Sequence, residues 1–495
     1  MARKIIGWPE VVFASDWRAA TLTNATKAGR LHRIAHGVYT PSDEPGEVIL
    51  RRNWVQVLEH RFPGAVLVDA SARTGSPDSG GRLFVDHTRR SPLALPGLSI
   101  IPRHGPGALP GDQPLHGFFL SSPARGMLDN LAGRGSRYLS EAQVQTWVID
   151  LVVRHGEAHL NEVRDSARSL SGRAGSPAAF ERLSAIISAA LSTGDADEAM
   201  LPALRSSAAG QPYDHRRLSL FSACVAYLGD LAPTILPDPV ELAGRRTLLP
   251  FYEAYFSNYI EGTEFTLDEA ARIVFDAEIP ADRPEDAHDV LGTYRLVADA
   301  AEMRRTPASA DELVEVVRAR HAVIMEQRPG KGPGRFKSAA NRAGATVFVE
   351  PRLSEGTLRA GFEVAGALVD PFARALYMMF LVSEIHPFAD GNGRVARVMM
   401  NEELVTAGQV RIVIPTVFRG EYLGSLKNAT NNGTFDGVAS VLRFAQRYTA
   451  QVDFSSRASA DHDLARTNAL VEPSVAETNN IRLRLPSAID RIVGS

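Results

Sequence analysis

The stretch Ile385-His386-Pro387-Phe388-Ala389-Asp390-Gly391-Asn392-Gly393-Arg394-Val395-Ala396-Arg397 constrains this 495-residue chain more than any other. Apolar residues at helical spacing lead into it, and Pro387 forces the residue before it out of the helical region. Asp370 before Pro371 supplies the N-cap and first-turn proline for that leading helix, through Ala375, Leu376, Met379, Phe380 and Val382. A second helix is predicted from near Gly393 to about Ala407, with Gly408 placed to cap it. Gly391 and Gly393 allow the backbone turns in which successive N–H groups converge into an anion nest, at the positive end of the second helix. Asp390 is a hard oxygen ligand of the kind Mg2+ takes beside phosphates. Arg394 and Arg397, three apart on one face, present planar donor forks. His386 is the one group here that titrates near neutrality, which suits a general base. The parts together fit a triphosphate with its metal and an incoming nucleophile to be deprotonated.

The same residues match the Fic motif, His-Pro-Phe-x-(Asp/Glu)-Gly-Asn-Gly-Arg-x-x-Arg, at every defined position, so the segment resembles the Fic family. The resemblance implies a helical catalytic domain that moves AMP from ATP onto a protein hydroxyl. It implies His386 as the base, Phe388 as the anchor of the loop, and Asp390 as the Mg2+ ligand. By the same resemblance Asn392 and the N–H groups of Gly391 and Gly393 take the α-phosphate, Arg394 the β/γ-phosphates and Arg397 the γ-phosphate. The kinase-like Doc branch typically has Lys where Gly393 stands, so nucleotidyl transfer is favoured; UTP or GTP as donor is not excluded.

Two further stretches fall into place beside that motif. Ser257-Asn258-Tyr259-Ile260-Glu261-Gly262 ends a predicted helix that begins near Thr247, with Ser257 and Glu261 on one face and Gly262 as its C′ residue. It resembles the family's inhibitory motif, (Ser/Thr)-x-x-x-Glu-(Gly/Asn), in the class II position ahead of the core. Glu261 would then compete with the γ-phosphate for Arg397. In some family members this Glu also helps remove AMP. Residues 334–351, from Gly334 through Lys337 and Gly344 to Val347-Phe348-Val349, read as a hairpin. They resemble the Fic flap, whose strand edge aligns a target backbone by strand addition. Tyr422 lies in a stretch similar to the family's helix behind the nucleotide, and core packing is the reading preferred for it. Thr266 with Glu269 is a capping box opening a helix through Ile273 and Phe275.

The first half reads differently. Residues 1–134 carry 16 Lys/Arg against 11 Asp/Glu, although the whole chain has net charge -3. That overall balance excludes a uniformly basic nucleic-acid coat. Residues 10–40 are expected to form two or three short helices and a small hairpin, with Arg18, Lys27, Arg30 and Arg33 on a basic face. Gly29 to Tyr39, and Ser121 to Asp129, resemble AbiEi-type antitoxins, which implies a winged helix and a DNA partner for residues 1–45. Residues 75–116, rich in Gly, Pro and Ser, read as short strands joined by turns. Residues 140–193 have helical spacing, with a loop over Ser169–Pro177, and 205–215 read as a linker. The expected division is 1–45 winged-helix-like, 46–135 α+β, 136–204 helical connector, 216–285 inhibitory segment, 286–450 Fic domain and 451–495 tail. The expected fold class is mainly α with an α+β N-terminal region.

Lone Cys224 excludes an internal disulfide and any Cys-based zinc cluster, and reads as a buried hydrophobe in a reducing, cytoplasmic setting. The longest apolar run, Ala375 to Val382, is far below the roughly 18 residues of a membrane span. Arg3 and Lys4 are interrupted as a signal-peptide start by Pro9 and Glu10. His32 and His36, four apart, lack a third metal ligand and read as basic surface residues. The function expected is a self-inhibited protein adenylyltransferase using ATP and Mg2+ on a Tyr, Thr or Ser hydroxyl, its own included. The alternatives are a DNA-binding regulator whose Fic part senses nucleotide, and a de-adenylylase using Glu261. Oligomeric state is left open, with a dimer that masks the brake among the arrangements.

Overall fold

The Asp370–Pro371 start works as its chemistry dictates: the Asp370 side chain accepts the Ala373 N–H and caps a helix over Pro371–Ile385. This is seen in a computed structural model that describes residues 7–233, 235–344, 346–487 and 489. The chain divides into two units, residues 1–210 and 211–495. The fold class is mainly α, with an α+β N-terminal region.

In the second unit, the helix Pro371–Ile385 packs along the helix Asn392–Thr406. Leu376, Met379, Phe380, Val395, Val398 and Met399 are all buried. The helix Leu249–Ile260 buries every side chain except that of Pro250, its first-turn proline. A helix buried on every face, with its polar Glu253, Ser257 and Asn258 paired inside, must lie within the bundle. Thr266 and Glu269 form the full capping box of Leu267–Phe275. Where the sequence reading sees only a tail after residue 450, two helices form, Arg457–Arg466 and Pro473–Asn479. They bring Ala460, Leu464, Ala469 and Ala476 into one core with Tyr252 and Phe256. Cys224 is buried on the helix His215–Gly229.

The first unit holds a three-stranded antiparallel sheet and a six-stranded mixed sheet. The predicted hairpin is His32–Ala35 paired with Val38–Thr40, turning at Gly37 (φ +68°). Within 7–45 there is one α-helix, Ala19–Lys27, plus a short 3-10 turn over Ala14–Asp16, in place of two or three helices. Val12 and Phe13 become a strand because the hairpin offers them a pairing edge. His32 therefore sits on a strand and His36 at its turn, so the two do not share a helix face. Arg3 and Lys4 lie outside the described residues. The strands Arg82–Asp86 and Leu98–Arg103 run parallel and centre the larger sheet. Ser122 caps the helix Pro123–Ala132, whose fully buried Arg125 pairs with Asp86 and Asp112. Helices Glu141–Leu170, interrupted at Gly156 (φ +81°), and Pro177–Ala190 follow, as the spacing predicts. No described helix is long and apolar enough to cross a membrane.

Candidate active site

His386 caps the end of its helix in the left-handed region (φ +53°), and Pro387 after it bars the helix from continuing. The turn leaves the imidazole part-buried, with Nδ1 3.0 Å from the Ser383 carbonyl. A carbonyl only accepts, so Nδ1 carries the proton and Nε2 keeps its lone pair. Burial lowers the pKa below the ordinary imidazole value, against the Ser383 bond and the Glu261 charge, which raise it. The ring is therefore a neutral base at physiological pH. Phe348 stacks on it, with centroids 3.8 Å apart and an 8° tilt.

The loop beyond is held from inside. Phe388 is buried and stacked on His321 at 3.8 Å, which ties the motif loop to the core. Asn392 places both side-chain atoms on the Phe388 backbone, accepting its N–H (2.8 Å) and donating to its carbonyl (2.9 Å). In this state Asn392 shapes the loop. Gly391 takes φ +74°, and a Cβ there would lie 2.8 Å from Met325 Sδ. Its N–H is held by Asp390 Oδ1 at 2.7 Å. Asp390 Oδ2 faces Lys331 Nζ at 3.8 Å, and the carboxylate is part-exposed. No cluster of three or more His, Cys, Asp or Glu fit to hold a metal occurs among the described residues. A lone carboxylate suits a hard cation that draws its other ligands from phosphates and water, as Mg2+ does.

Both motif arginines are buried, and each is held by a residue of the helix Leu249–Ile260, with Glu261 just after that helix joining on Arg397 and Asp289 of another helix joining on Arg394. Arg397 donates to Ser257 Oγ (2.9 Å), the Ser257 carbonyl (2.7 Å) and Glu261 Oε1 (2.7 Å). Burial pushes the Glu261 carboxyl up, but the charge and hydrogen bond of Arg397 outweigh it and hold the group below its ordinary value. Gly262 follows at φ +92° as the C′ glycine. A Cβ on Gly393 would meet Glu261 Oε1 at 2.0 Å, so glycine there admits the carboxylate to the start of the helix Asn392–Thr406. Arg394 pairs with Asp289 and donates to Asn258 Oδ1 at 3.3 Å. Its buried Nε has no partner among the described residues.

The hairpin forms with Arg342 opposite Val347 and Ala343 opposite Thr346. Only part of the predicted flap set faces out. Val347 is 55% exposed, whereas Lys337 and Val349 are buried and root the hairpin. Lys337 Nζ donates to Asn341 Oδ1 at 2.6 Å, its N–H bonds the Pro387 carbonyl, and burial lowers its ammonium to about 8. Glu261, Thr346, Phe348, His386, Gly393, Arg397 and Tyr422 line one cleft of about 460 Å³. Tyr422 is buried, with its hydroxyl 3.4 Å from Met379 Sδ.

Sequence reasoning misses Asp289, Asn258 and His321. Asp289 and Thr293 lie four apart on the buried face of Pro284–Ala298, and polar residues on an apolar face were the available signal. His321 is buried, accepts the Gly334 N–H at Nδ1 (2.9 Å) and reaches the Asp390 carbonyl through Nε2 (3.1 Å).

Residues 312–404 match the Fic/DOC family, a stretch well short of half the chain. The protein adenylyltransferase Fic of Nematostella vectensis is 27% identical over 207 residues, 40% of this chain and 47% of that protein. The Caenorhabditis elegans protein adenylyltransferase fic-1 is 27% identical over 111 residues, 22% of each. The chain thus spans less than half the length of either relative. A solved fragment of C. elegans Fic-1 superposes with a TM-score of 0.36 at 15% identity, over 66% of this chain and 94% of that one. That superposition is too loose to bear on any residue of the site. The histidine, the loop and the paired arginines described above all fall inside the stretch that matches the Fic/DOC family.

Proposed function

We propose that the chain is a protein adenylyltransferase that restrains itself through Glu261. The observation that carries the reading is the single cleft lined by His386, Gly393, Arg397 and Glu261. A target hydroxyl gives its proton to His386 Nε2 as its oxygen attacks the α-phosphorus of ATP. The bond from that phosphorus to the pyrophosphate oxygen breaks in line, and AMP ends as an ester of the target. Mg2+ neutralises phosphate charge when bound, and Asp390 is the residue that would hold it. Loop N–H groups at the helix N-terminus and the buried arginines meet the charge that develops on the phosphates. The exposed edge of the hairpin aligns the target backbone beside His386. Glu261 occupies the guanidinium that the γ-phosphate needs, so ATP seats productively only after that contact opens.

The test is incubation with α-labelled ATP and Mg2+, comparing wild type, Glu261→Gly and Glu261→Gly with His386→Ala. Label transferred by Glu261→Gly alone supports both parts of the reading. Equal transfer by wild type and Glu261→Gly would remove the brake. No transfer by any form would remove the transferase. DNA binding by residues 1–45 stands as a second, separate proposal, supported by the exposure of Arg18, Lys27, Arg30 and Arg33. Salt-sensitive binding of the full chain to DNA, weakened by charge removal at these four, is the expected result; none at low salt would end it.

A further inference from the structure

Arg217, on the helix His215–Gly229, touches two parts of the site that the motif does not connect. One arm of its fork forms an ion pair with Glu384, which lies two residues before His386. The other donates to the Val347 carbonyl at 2.6 Å. Both side chains of the ion pair are largely buried, at 18% and 3% exposure. Thr430 donates to the second Glu384 oxygen at 2.6 Å. The carboxylate is thus fixed from two sides, and it fixes Arg217 in turn.

The hydrogen-bond pattern of the hairpin says what Arg217 does there. The Phe348 N–H bonds inward to the Asn341 carbonyl at 3.3 Å. By strand alternation the Val347 carbonyl then points outward, to the free edge. The hairpin has only two paired residues on each side and is too short to hold itself. Its inner root is tied to the motif loop by Lys337 and by Asn341, which donates to the Phe388 carbonyl at 2.9 Å. Arg217 supplies the tie on the opposite edge. Phe348, next after Val347, is the residue stacked on His386.

We infer that Arg217 is a positioning residue that pins the free edge of the hairpin to the His386 helix, and so sets where a target backbone lies relative to the base. This rests on the adenylyl-transfer reading for its catalytic consequence, but not for its structural one. It predicts that the edge offers a target the Val347 N–H and not its carbonyl.

The experiment uses the full chain carrying Glu261→Gly, with and without Arg217→Ala or Arg217→Lys. Limited trypsin digestion is followed at exposed Arg342, in the hairpin, and at exposed Arg482 as a control. Losing a charge-assisted bond should speed cleavage after Arg342 about ten-fold or more, with Arg482 unchanged. Lys keeps the charge but not the fork, so it should fall between the two. Self-labelling from α-labelled ATP should slow in parallel, with KM for ATP moving less than about three-fold. Unchanged cleavage after Arg342 in Arg217→Ala overturns the inference. So does faster labelling, which would make Arg217 a block on the edge. If Arg217→Ala does not fold, wild-type cleavage in Arg217→Lys overturns it equally. If the Glu261→Gly parent transfers no label, the transferase reading fails and the cleavage rates alone judge Arg217.

Discussion

Replacing Glu261 with Gly removes one of the three bonds that Arg397 makes to the segment Ser257–Glu261, and the one that carries charge. A hydrogen bond between charged groups nets about 1.5–3 kcal/mol, and the 29% exposure of the Glu261 side chain places this one toward the lower end. On the proposed reading, ATP must displace that bond to bring its γ-phosphate to Arg397. Its removal should therefore tighten ATP binding about 10–100-fold. AMP has no γ-phosphate and does not compete, so its affinity should stay within about two-fold, within the scatter of a lost exposed contact. Stability should fall by no more than that same bond is worth, about 1.5–3 kcal/mol, because both Ser257 acceptors still satisfy the guanidinium and Glu261 lies just past the last helical residue. Titration calorimetry with ATP, AMP and Mg2+ on a His386→Ala background gives both affinities without turnover. Equal ATP affinity in the presence and absence of Glu261 refutes the reasoning. So does an equal gain for AMP, because the effect would then not run through the γ-phosphate.

Phe388→Ala should cost about 3–5 kcal/mol of stability, because the ring is fully buried against His321, and urea unfolding would show it. The transfer rate of Glu261→Gly should rise with pH with a midpoint below the ordinary imidazole value of 6.5, since desolvation lowers the His386 pKa; a midpoint above 7 would contradict a neutral base. His321 is lowered by burial to about 4, so the unfolded chain takes up its proton first as pH falls. Its contribution is complete above about 6.5 and lost progressively toward about 4, roughly 3 kcal/mol in all. His321→Gln should flatten the fall in unfolding free energy between pH 6.5 and 5, and an unchanged slope would assign that fall to other groups.

What was legible in the sequence was local chemistry. Asp370 and Pro371 start a helix, Thr266 and Glu269 box one, and Pro387 stops one, because each acts within four residues of itself. The Arg397–Glu261 contact spans 136 positions and was still legible, because both ends carry recognisable motifs. Asp289 beneath Arg394 is nearly as distant and was not, since its helix offers no motif and its burial depends on which face meets the bundle. Asn392 shows the same limit at short range. Its identity announces a phosphate ligand, while its partners are the Phe388 N–H and carbonyl four residues back. At the N-terminus the hairpin was legible from its turn, but Val12 and Phe13 became a strand only because the hairpin provided an edge.

The same contacts decide how the proposed restraint on Arg397 would open. Asn258, one turn before Gly262, donates to the Ala254 carbonyl (2.9 Å) and Thr293 Oγ1 (3.1 Å) while accepting from Arg394. Tyr252, Ala254 and Phe256 bury the same helix in the bundle. Sliding it would break these bonds together and uncover apolar surface worth about 25 cal/mol per Å². Glu261 stands outside that lock: it follows the last helical residue, and among the described residues nothing but its chain neighbours comes within 4 Å of where a Cβ on Gly262 would lie. Release should therefore be a rotation of the Glu261 side chain on a stationary helix. Hydrogen exchange over 249–260 should be no faster when ATP binds wild type, while the Glu261 side-chain carboxyl resonance shifts. Faster exchange across that helix on ATP binding would show that the helix itself moves, and would place the control of this site in the packing of Tyr252 and Phe256 instead of in one carboxylate.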